Sequence, residues 1–152
     1  MAELVYDKDG RLLFTKEMKK EYTLLMPQML PVHFGMFQKL LQLEGYKVDM
    51  LTTHHHAIVE EGQKYVHNDT CYPALLVIGQ LIEAVKNGGY DPHKVALLIT
   101  QTGGGCRASN YIHLLRKALH KAGYDYIPVI SVIFGVEKTP GSCLSLSLIR
   151  KL

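Results

Sequence analysis

A glycine-rich segment with a cysteine lies between an apolar stretch at residues 95–100 and a helical pattern at residues 108–122. Residues 100–111 read TQTGGGCRASNY. Glycine has no side chain and tolerates positive φ, so the backbone of such a segment can approach a ligand closely. Cys106 then falls near a helix N-terminus, where the dipole and the free N–H groups favour a thiolate. The segment therefore predicts a ligand-binding loop that carries a reactive thiol.

A second cysteine, Cys71, occupies a similar junction. Residues 68–74 read NDTCYPA, and a helical pattern at residues 73–86 follows, with Pro73 in its first turn. The two cysteines are too far apart in the sequence for a local Cys-x-x-Cys motif, but iron–sulfur clusters collect soft thiolates from separate loops. We therefore expect Cys71 and Cys106 to be ligands of one metal site. The alternative is a pair of buried, inert cysteines.

The glycine-rich loop also admits a phosphate-binding interpretation, in which its backbone N–H groups cradle the anion and Arg107 assists. The chain has no Walker lysine and no Gly-x-Gly-x-x-Gly pattern, which argues against a nucleotide site. Ser109, Asn110 and Tyr111 either orient a ligand or cap and pack the helix. The residues that we predict to bind a cofactor are Gly103, Gly104, Gly105, Arg107, Ser109 and Asn110.

Histidines and the third cysteine are weaker candidates. Consecutive side chains point in different directions, so His54, His55 and His56 cannot easily chelate one ion. His67, near Cys71, is better placed to donate a hydrogen bond to a cluster or ligand, the alternative for each histidine being plain solvation. Cys143 lies in a tail rich in serine and leucine, and we expect it to be structural or incidental.

The bulk composition indicates one ordinary globular domain: 152 residues, of which 47% are hydrophobic and 20% charged. The formal net charge of +3 comes from scattered basic residues, which argues against nucleic-acid binding. No apolar run reaches the roughly 20 residues of a membrane helix, and the N-terminus lacks the pattern of a signal peptide. The odd number of cysteines argues against a secreted disulfide framework, so we expect a cytoplasmic protein.

Strand and helix patterns alternate through most of the chain, which predicts an α/β domain of three layers with a mainly parallel sheet. Gly-Tyr pairs begin at residues 45, 89 and 123, where a glycine typically ends a helix. Right-handed crossovers place the strand-to-helix loops, and with them Cys106, at the carboxyl edge of the sheet. Cys71 follows the second strand of this pattern after an extra helix, and we expect it at the same edge. The predicted strands are residues 22–26, 47–51, 95–100 and 127–134, and the predicted helices are residues 32–44, 57–66, 73–86 and 108–122.

The termini differ in pattern from this domain. Residues 3–6 and 12–15 alternate around a turn with Gly10, which predicts a short β-hairpin, and residues 16–20 read as a charged linker. The last segment resembles the start of another helix. We therefore divide the chain into an N-terminal hairpin and linker (1–20), an α/β domain (21–137) and a tail (138–152) that leads into a further C-terminal part.

The two cysteine motifs together resemble signatures of the 2-hydroxyacyl-CoA dehydratase superfamily. Residues 68–74 and 101–111 carry the resemblance, which extends over about residues 22–137. It is nearest to the acyl-CoA dehydratase activase-related proteins, in their region that is similar to the dehydratase catalytic subunits. The resemblance implies a flavodoxin-like or Rossmann-like domain that helps to hold an oxygen-sensitive [4Fe–4S] cluster through cysteines from separate domains.

The resemblance also implies a redox function. In this superfamily an ATP-dependent activator injects one electron at low potential, and in true dehydratases that electron reduces a thioester carbonyl to a ketyl radical so that water can leave. Cys71 and Cys106 would be cluster ligands, and Gly103 to Gly105 would let N–H groups approach the cluster sulfurs. The implied partners are the activator, an acyl-CoA substrate and a second copy of the chain.

This chain also departs from the resembling proteins, which are much longer and often carry the activator ATPase module that is not visible here. A third ligand normally comes from a later region, so the chain alone is expected to be inactive, and its reaction class stays open between a lyase and an ATP-dependent reductase component. Some relatives use a double-cubane cluster to reduce small molecules. The rival hypothesis is a cluster-free module that docks an activator or binds a ligand containing phosphate or CoA.

Overall fold

A computed structural model describes residues 4–101 and 105–133 of the chain. It begins with a two-stranded antiparallel hairpin of β1 (Val5–Tyr6) and β2 (Leu12–Leu13). Gly10 has a φ of 71° in the turn, a conformation that favours glycine. The carboxylate of Asp7 accepts hydrogen bonds from two backbone N–H groups of this turn, at 2.8 and 2.9 Å. The predicted hairpin is therefore present, with shorter strands.

The central sheet consists of four parallel strands: β3 (Thr23–Pro27), β4 (Lys47–Leu51), β5 (Val95–Gln101) and β6 (Val129–Ile133). Their order across the sheet is β4-β3-β5-β6. β3 and β5 are almost wholly buried, as expected for inner strands of a sheet that is covered on both faces. This order and the parallel register confirm the α/β prediction and agree with a flavodoxin-like fold.

Helices cover both faces of the sheet. They are α1 (Met18–Glu21), α2 (Pro31–Leu43), α3 (Ala57–Tyr65), α4 (Tyr72–Asn87) and α5 (Tyr111–Ala122), the last preceded by a 3₁₀ turn at Arg107–Asn110. α4 is apolar on nearly its whole circumference because it packs against the sheet, α3 and α5. Gly45, Gly89 and Gly123 all have positive φ, which confirms the predicted helix-to-strand turns.

Two hydrophobic cores lie on opposite faces of the sheet. One core joins the inward side chains of α4 and α5 to residues such as Leu97 and Ile99 of β5. The other joins α2 and the hairpin to the opposite face through Leu24 and Leu98. Since successive residues of a strand point to opposite faces, β5 contributes alternately to both cores. The molecule therefore has the three layers that the alternating pattern predicted.

One prediction about the N-terminal region was wrong, and others lie outside the described residues. Residues 16–20 are not simply a charged linker, because α1 begins there and Met18 is fully buried in the second core. A single methionine among lysines and glutamates is too short an apolar pattern to indicate a buried turn of helix. The end of the last predicted strand, the tail at 138–152 and Cys143 are not among the described residues.

Candidate thiol site at the carboxyl edge of the sheet

The direction of the strand order reverses between β3 and β5. The chain leaves β3 through α2 toward β4, and it returns from β4 through α3 and α4 to β5 on the other side of β3. Open α/β sheets usually bind their ligands at such a reversal, outside the carboxyl ends of the strands. At this place the hydroxyl of Thr100, in β5, donates to the Sδ of Met29, in the loop after β3, at 3.3 Å.

Cys71 lies at the start of α4. Its extended backbone (φ −60°, ψ 144°) places it as the residue before the first helical turn, and its carbonyl accepts the N–H of Ala74 at 3.0 Å. Pro73 stands in that first turn, as predicted, since a missing N–H costs nothing there. The side chain is half-buried against the first core. The prediction of a thiol at a helix N-terminus is therefore confirmed for Cys71.

Cys106 precedes the 3₁₀ turn that leads into α5. Its sulfur accepts the N–H of Ala108 at 3.5 Å, and its carbonyl accepts the hydroxyl of Ser109 at 2.8 Å. The residue is exposed, so the alternative of two buried cysteines is wrong for Cys106. Two capping interactions thus hold this thiol at the beginning of a helix.

Tyr111 connects the two helix starts. Its hydroxyl lies 3.6 Å from the Sγ of Cys71, and only 4% of the residue is exposed. Burial raises the pKa of the Tyr111 hydroxyl, and the hydrogen bond to Cys71 and the charges of Cys71 and Cys106 raise it further. A neutral phenol is thus retained as a hydrogen-bond donor beside a thiol. The sequence alone allows two roles for Tyr111, orienting a ligand or packing the helix, because nothing in the local pattern indicates a contact with residue 71.

The remaining predicted cofactor-binding residues are only partly described. Gly105 is exposed, and a Cβ added there would meet no atom within 4 Å. The backbone of Arg107 begins the 3₁₀ turn, and Asn110, also exposed, precedes α5 without a side-chain capping bond. Ser109 bonds to Cys106 rather than projecting as the cap of α5. Gly103 and Gly104 lie outside the described residues.

A buried glutamine that sequence reasoning missed joins two loops of this edge. Gln80, 5% exposed in α4, accepts the N–H of Gln28 through Oε1 at 3.1 Å. Its Nε2 donates to the carbonyls of Leu51 and Thr53 at 3.1 and 3.0 Å. The signal in the sequence is a lone amide within the otherwise apolar stretch at residues 74–82. Gln80 therefore fixes the loops that follow β3 and β4.

A cavity of about 310 Å³ lies beside this glutamine, between those loops and the α3–α4 pair. Gln28 and Thr53 are among the residues that line this cavity, and their side-chain oxygens, Oε1 and Oγ1, are buried without a hydrogen-bond partner among the described residues. Gln101 Oε1, at the end of β5, is also buried and unpartnered, although its Nε2 donates to the carbonyl of Ser109 at 2.7 Å. Buried polar atoms normally have partners, so their concentration at one edge indicates room for a polar ligand or water.

The histidines contribute no metal site in this part of the chain. His54, His55 and His56 are exposed, and the latter two face Glu83 and Glu60 at 3.8 and 3.1 Å. His67 pairs with Asp69 at 3.3 Å, within its own loop. Across residues 4–101 and 105–133, no three side chains of His, Cys, Asp or Glu are grouped to hold a metal ion.

Comparison of the chain with protein-family models, with curated proteins and with solved structures found no match. The resemblance to the dehydratase superfamily consequently stays a prediction from the two cysteine motifs. Within the described part of the chain, no helix has the length and apolarity that crossing a membrane requires.

Proposed function

We propose that this chain supplies Cys71 and Cys106 as thiolate ligands of an iron–sulfur cluster in a cytoplasmic, dehydratase-like redox protein. The observation that supports the proposal best is their common setting. Cys71 precedes α4 and Cys106 precedes the 3₁₀ turn that leads into α5, and the first residue of α5, Tyr111, contacts the Sγ of Cys71. Helix N-termini favour the thiolate form that iron requires.

Cys71 and Cys106 would supply only part of the ligands that such a cluster needs. A [4Fe–4S] cluster takes about four thiolates, so two would have to come from elsewhere in the protein or from a second copy of the chain. The protein's own contribution is to orient the sulfurs. Tyr111 is placed to donate to the Sγ of Cys71, and the N–H of Ala108 to the Sγ of Cys106. Hydrogen bonds to ligating sulfurs stabilise their negative charge and tune the potential.

When bound, the cluster would supply one-electron transfer at low potential. The partner that we propose is an ATP-dependent activator, and the substrate class is an acyl-CoA thioester. Within this proposal the chain is one part of a larger assembly, and its reaction is that of a lyase or of a reductase component.

A second candidate function is a binding module without a cluster. The cavity of about 310 Å³ favours it, together with the buried, unpartnered oxygens of two residues at its wall, Gln28 and Thr53. Such a module would bind a CoA-type or phosphate-bearing ligand, or dock an activator, without using either thiol. The two proposals differ in whether the cysteines are needed.

Anaerobic reconstitution with iron and sulfide distinguishes the two proposals. Wild type should gain absorption near 400 nm, an EPR signal on reduction and about four irons per chain or per two chains. Cys71→Ser and Cys106→Ser should each lose them, whereas the matched control Cys143→Ser should not. Iron uptake that survives both substitutions would contradict the cluster proposal.

The binding module is tested with a variant in which all three cysteines are serine. Its melting temperature should rise in the presence of coenzyme A by mass action if this second proposal is right. An unchanged melting temperature at millimolar coenzyme A would remove it.

A further inference from the structure

A larger cavity, of about 550 Å³, lies beside the hairpin, apart from the residues of the thiol site. The turn of the hairpin, α5 and the start of β6 line it. Neither cysteine lines it, and neither does Tyr111. The lining residues that matter most here are Arg11, Leu12, Arg116, Lys117, Leu119 and Val129.

Arg116 is the unusual residue of this cavity. Its guanidinium is half-buried, yet it makes no hydrogen bond or ion pair with any residue in the described ranges. Burial lowers the pKa of Arg116, and the charge of Arg11 lowers it further, while the charges of Asp7 and Asp9 offset part of this effect. A partly desolvated guanidinium with five donors and no acceptor is stabilised by an anion that enters beside it.

The acidic groups around the cavity already have partners. Asp9 is paired with the Nη1 of Arg11 at 2.8 Å, and Asp125 with the Nδ1 of His120 at 2.9 Å. Asp7 accepts two backbone N–H groups of the hairpin turn. Arg116 and its neighbour Lys117 are therefore the cations that face the cavity without a paired carboxylate among residues 4–101 and 105–133.

The floor of the cavity is apolar. Leu12 and Val129 are each 8% exposed, Ile127 is 3% exposed and Leu119 is 2% exposed. A cationic side above an apolar floor suits a ligand with an anionic group and an apolar part. The guanidinium binds planar oxyanions through two parallel hydrogen bonds, and the floor offers apolar contact. Inorganic phosphate alone would leave most of the volume to water.

We propose that this cavity binds a small organic anion, whose carboxylate or phosphate group pairs with Arg116 and whose apolar part lies against Leu12 and Leu119. The site is separate from the cysteines, so it does not depend on the cluster proposal. It would give the domain a second ligand, held between the hairpin and α5.

Isothermal titration calorimetry of the whole chain with benzoate and with phenyl phosphate tests the proposal and distinguishes the two head groups. Saturable binding of at least one of them is expected, with phenyl phosphate binding more tightly than inorganic phosphate. Arg116→Gln should weaken binding by about tenfold or more, and Arg116→Lys by less, because lysine keeps the charge but loses the planar fork. Lys39→Gln, on α2 across the sheet, is the control for loss of one charge and should bind like wild type.

Urea unfolding of each variant establishes that it is folded, and if Arg116→Gln is not, the weaker binding expected of Arg116→Lys becomes the test. The proposal is overturned if wild type binds neither organic anion, or if folded Arg116→Gln binds as tightly as wild type. Equal affinity for inorganic phosphate and phenyl phosphate would overturn the role of the apolar floor.

Discussion

The Sγ of Cys71 lies 3.6 Å from the Oη of Tyr111, so the residue before α4 contacts the first residue of α5. The two residues are 40 positions apart in the sequence. This contact brings the starts of two helices together at the edge of the sheet where ligands of parallel α/β domains bind. It also links the two cysteine motifs, because Tyr111 is the last residue of the second motif.

Tyr111→Phe should lower the free energy of unfolding by about 0.5–1 kcal/mol, since it removes a partly buried hydrogen bond to sulfur and little packing. The measurement is urea unfolding of the apo protein. Tyr72→Phe is the control, because Tyr72 is 60% exposed and follows Cys71 directly. Equal stability of the two variants would show that the 3.6 Å contact contributes nothing to stability.

Gly79 is required by the close packing of α3 on α4. A Cβ at this position would clash with the carbonyl oxygen of Ile58 and approach the backbone N of Gly62 to 2.9 Å. Backbone atoms in a helix cannot move aside cheaply, so Gly79→Ala should destabilise the protein by about 2–3 kcal/mol. Thermal or urea unfolding measures the loss.

Gly35→Ala is the matched control for that substitution. Gly35 also lies inside a helix, α2, but an added Cβ would meet no atom within 4 Å. Alanine is the better helix former, so this variant should be more stable than wild type by about 0.5–1 kcal/mol. Opposite signs for the two substitutions are expected, and a stabilised Gly79→Ala would refute the packing argument.

Gln80→Leu should reveal how strongly one amide holds the loops after β3 and β4. Leucine fills similar space but leaves the N–H of Gln28 and the carbonyls of Leu51 and Thr53 without this partner. We expect a loss of about 2–3 kcal/mol in the free energy of unfolding. Hydrogen exchange should show faster exchange of the Gln28 amide. The exposed Gln63→Leu, on α3, should change neither quantity.

The order of strands and helices could be predicted because the local sequence pattern determines each of them. Apolar strands, helical spacing and the glycines with positive φ at residues 45, 89 and 123 are all visible in the sequence. Cys71 could be placed at a helix start because Pro73 and the apolar run after it indicate that start. These features depend on neighbours in sequence, which is why the α/β architecture followed from them.

Features that depend on distant partners could not be predicted in the same way. Met18 is buried because the hairpin and α2 enclose it, although charged residues surround it in the sequence. Gln80 and Tyr111 acquire their roles from residues 27 to 52 positions away. The side chain of an isolated glutamine or tyrosine does not indicate which loop it will meet.

Tyr90 makes stability depend on pH in the alkaline range. Its hydroxyl donates to Oδ2 of Asp49, and burial followed by this hydrogen bond raises the pKa of Tyr90 to about 12 from an ordinary 10.0. Below pH 10 the phenol is neutral in both folded and unfolded chains, so its contribution to stability is complete. Between pH 10 and 12 the unfolded chain loses the proton first, and the contribution falls.

Tyr90→Phe should therefore be less stable than wild type near pH 8, because it lacks the bond to Asp49, and the difference should shrink as the pH approaches 12. Urea unfolding at several pH values between 8 and 11.5 measures it. Burial also raises the pKa of Tyr111, and the Glu61 carboxylate raises the pKa of Lys86. Because both residues are present in wild type and in Tyr90→Phe, the stability of the variant should also fall as the pH rises, but by less than that of wild type. A constant difference between wild type and variant across this range would mean that Tyr90 ionises equally in the folded and unfolded chains.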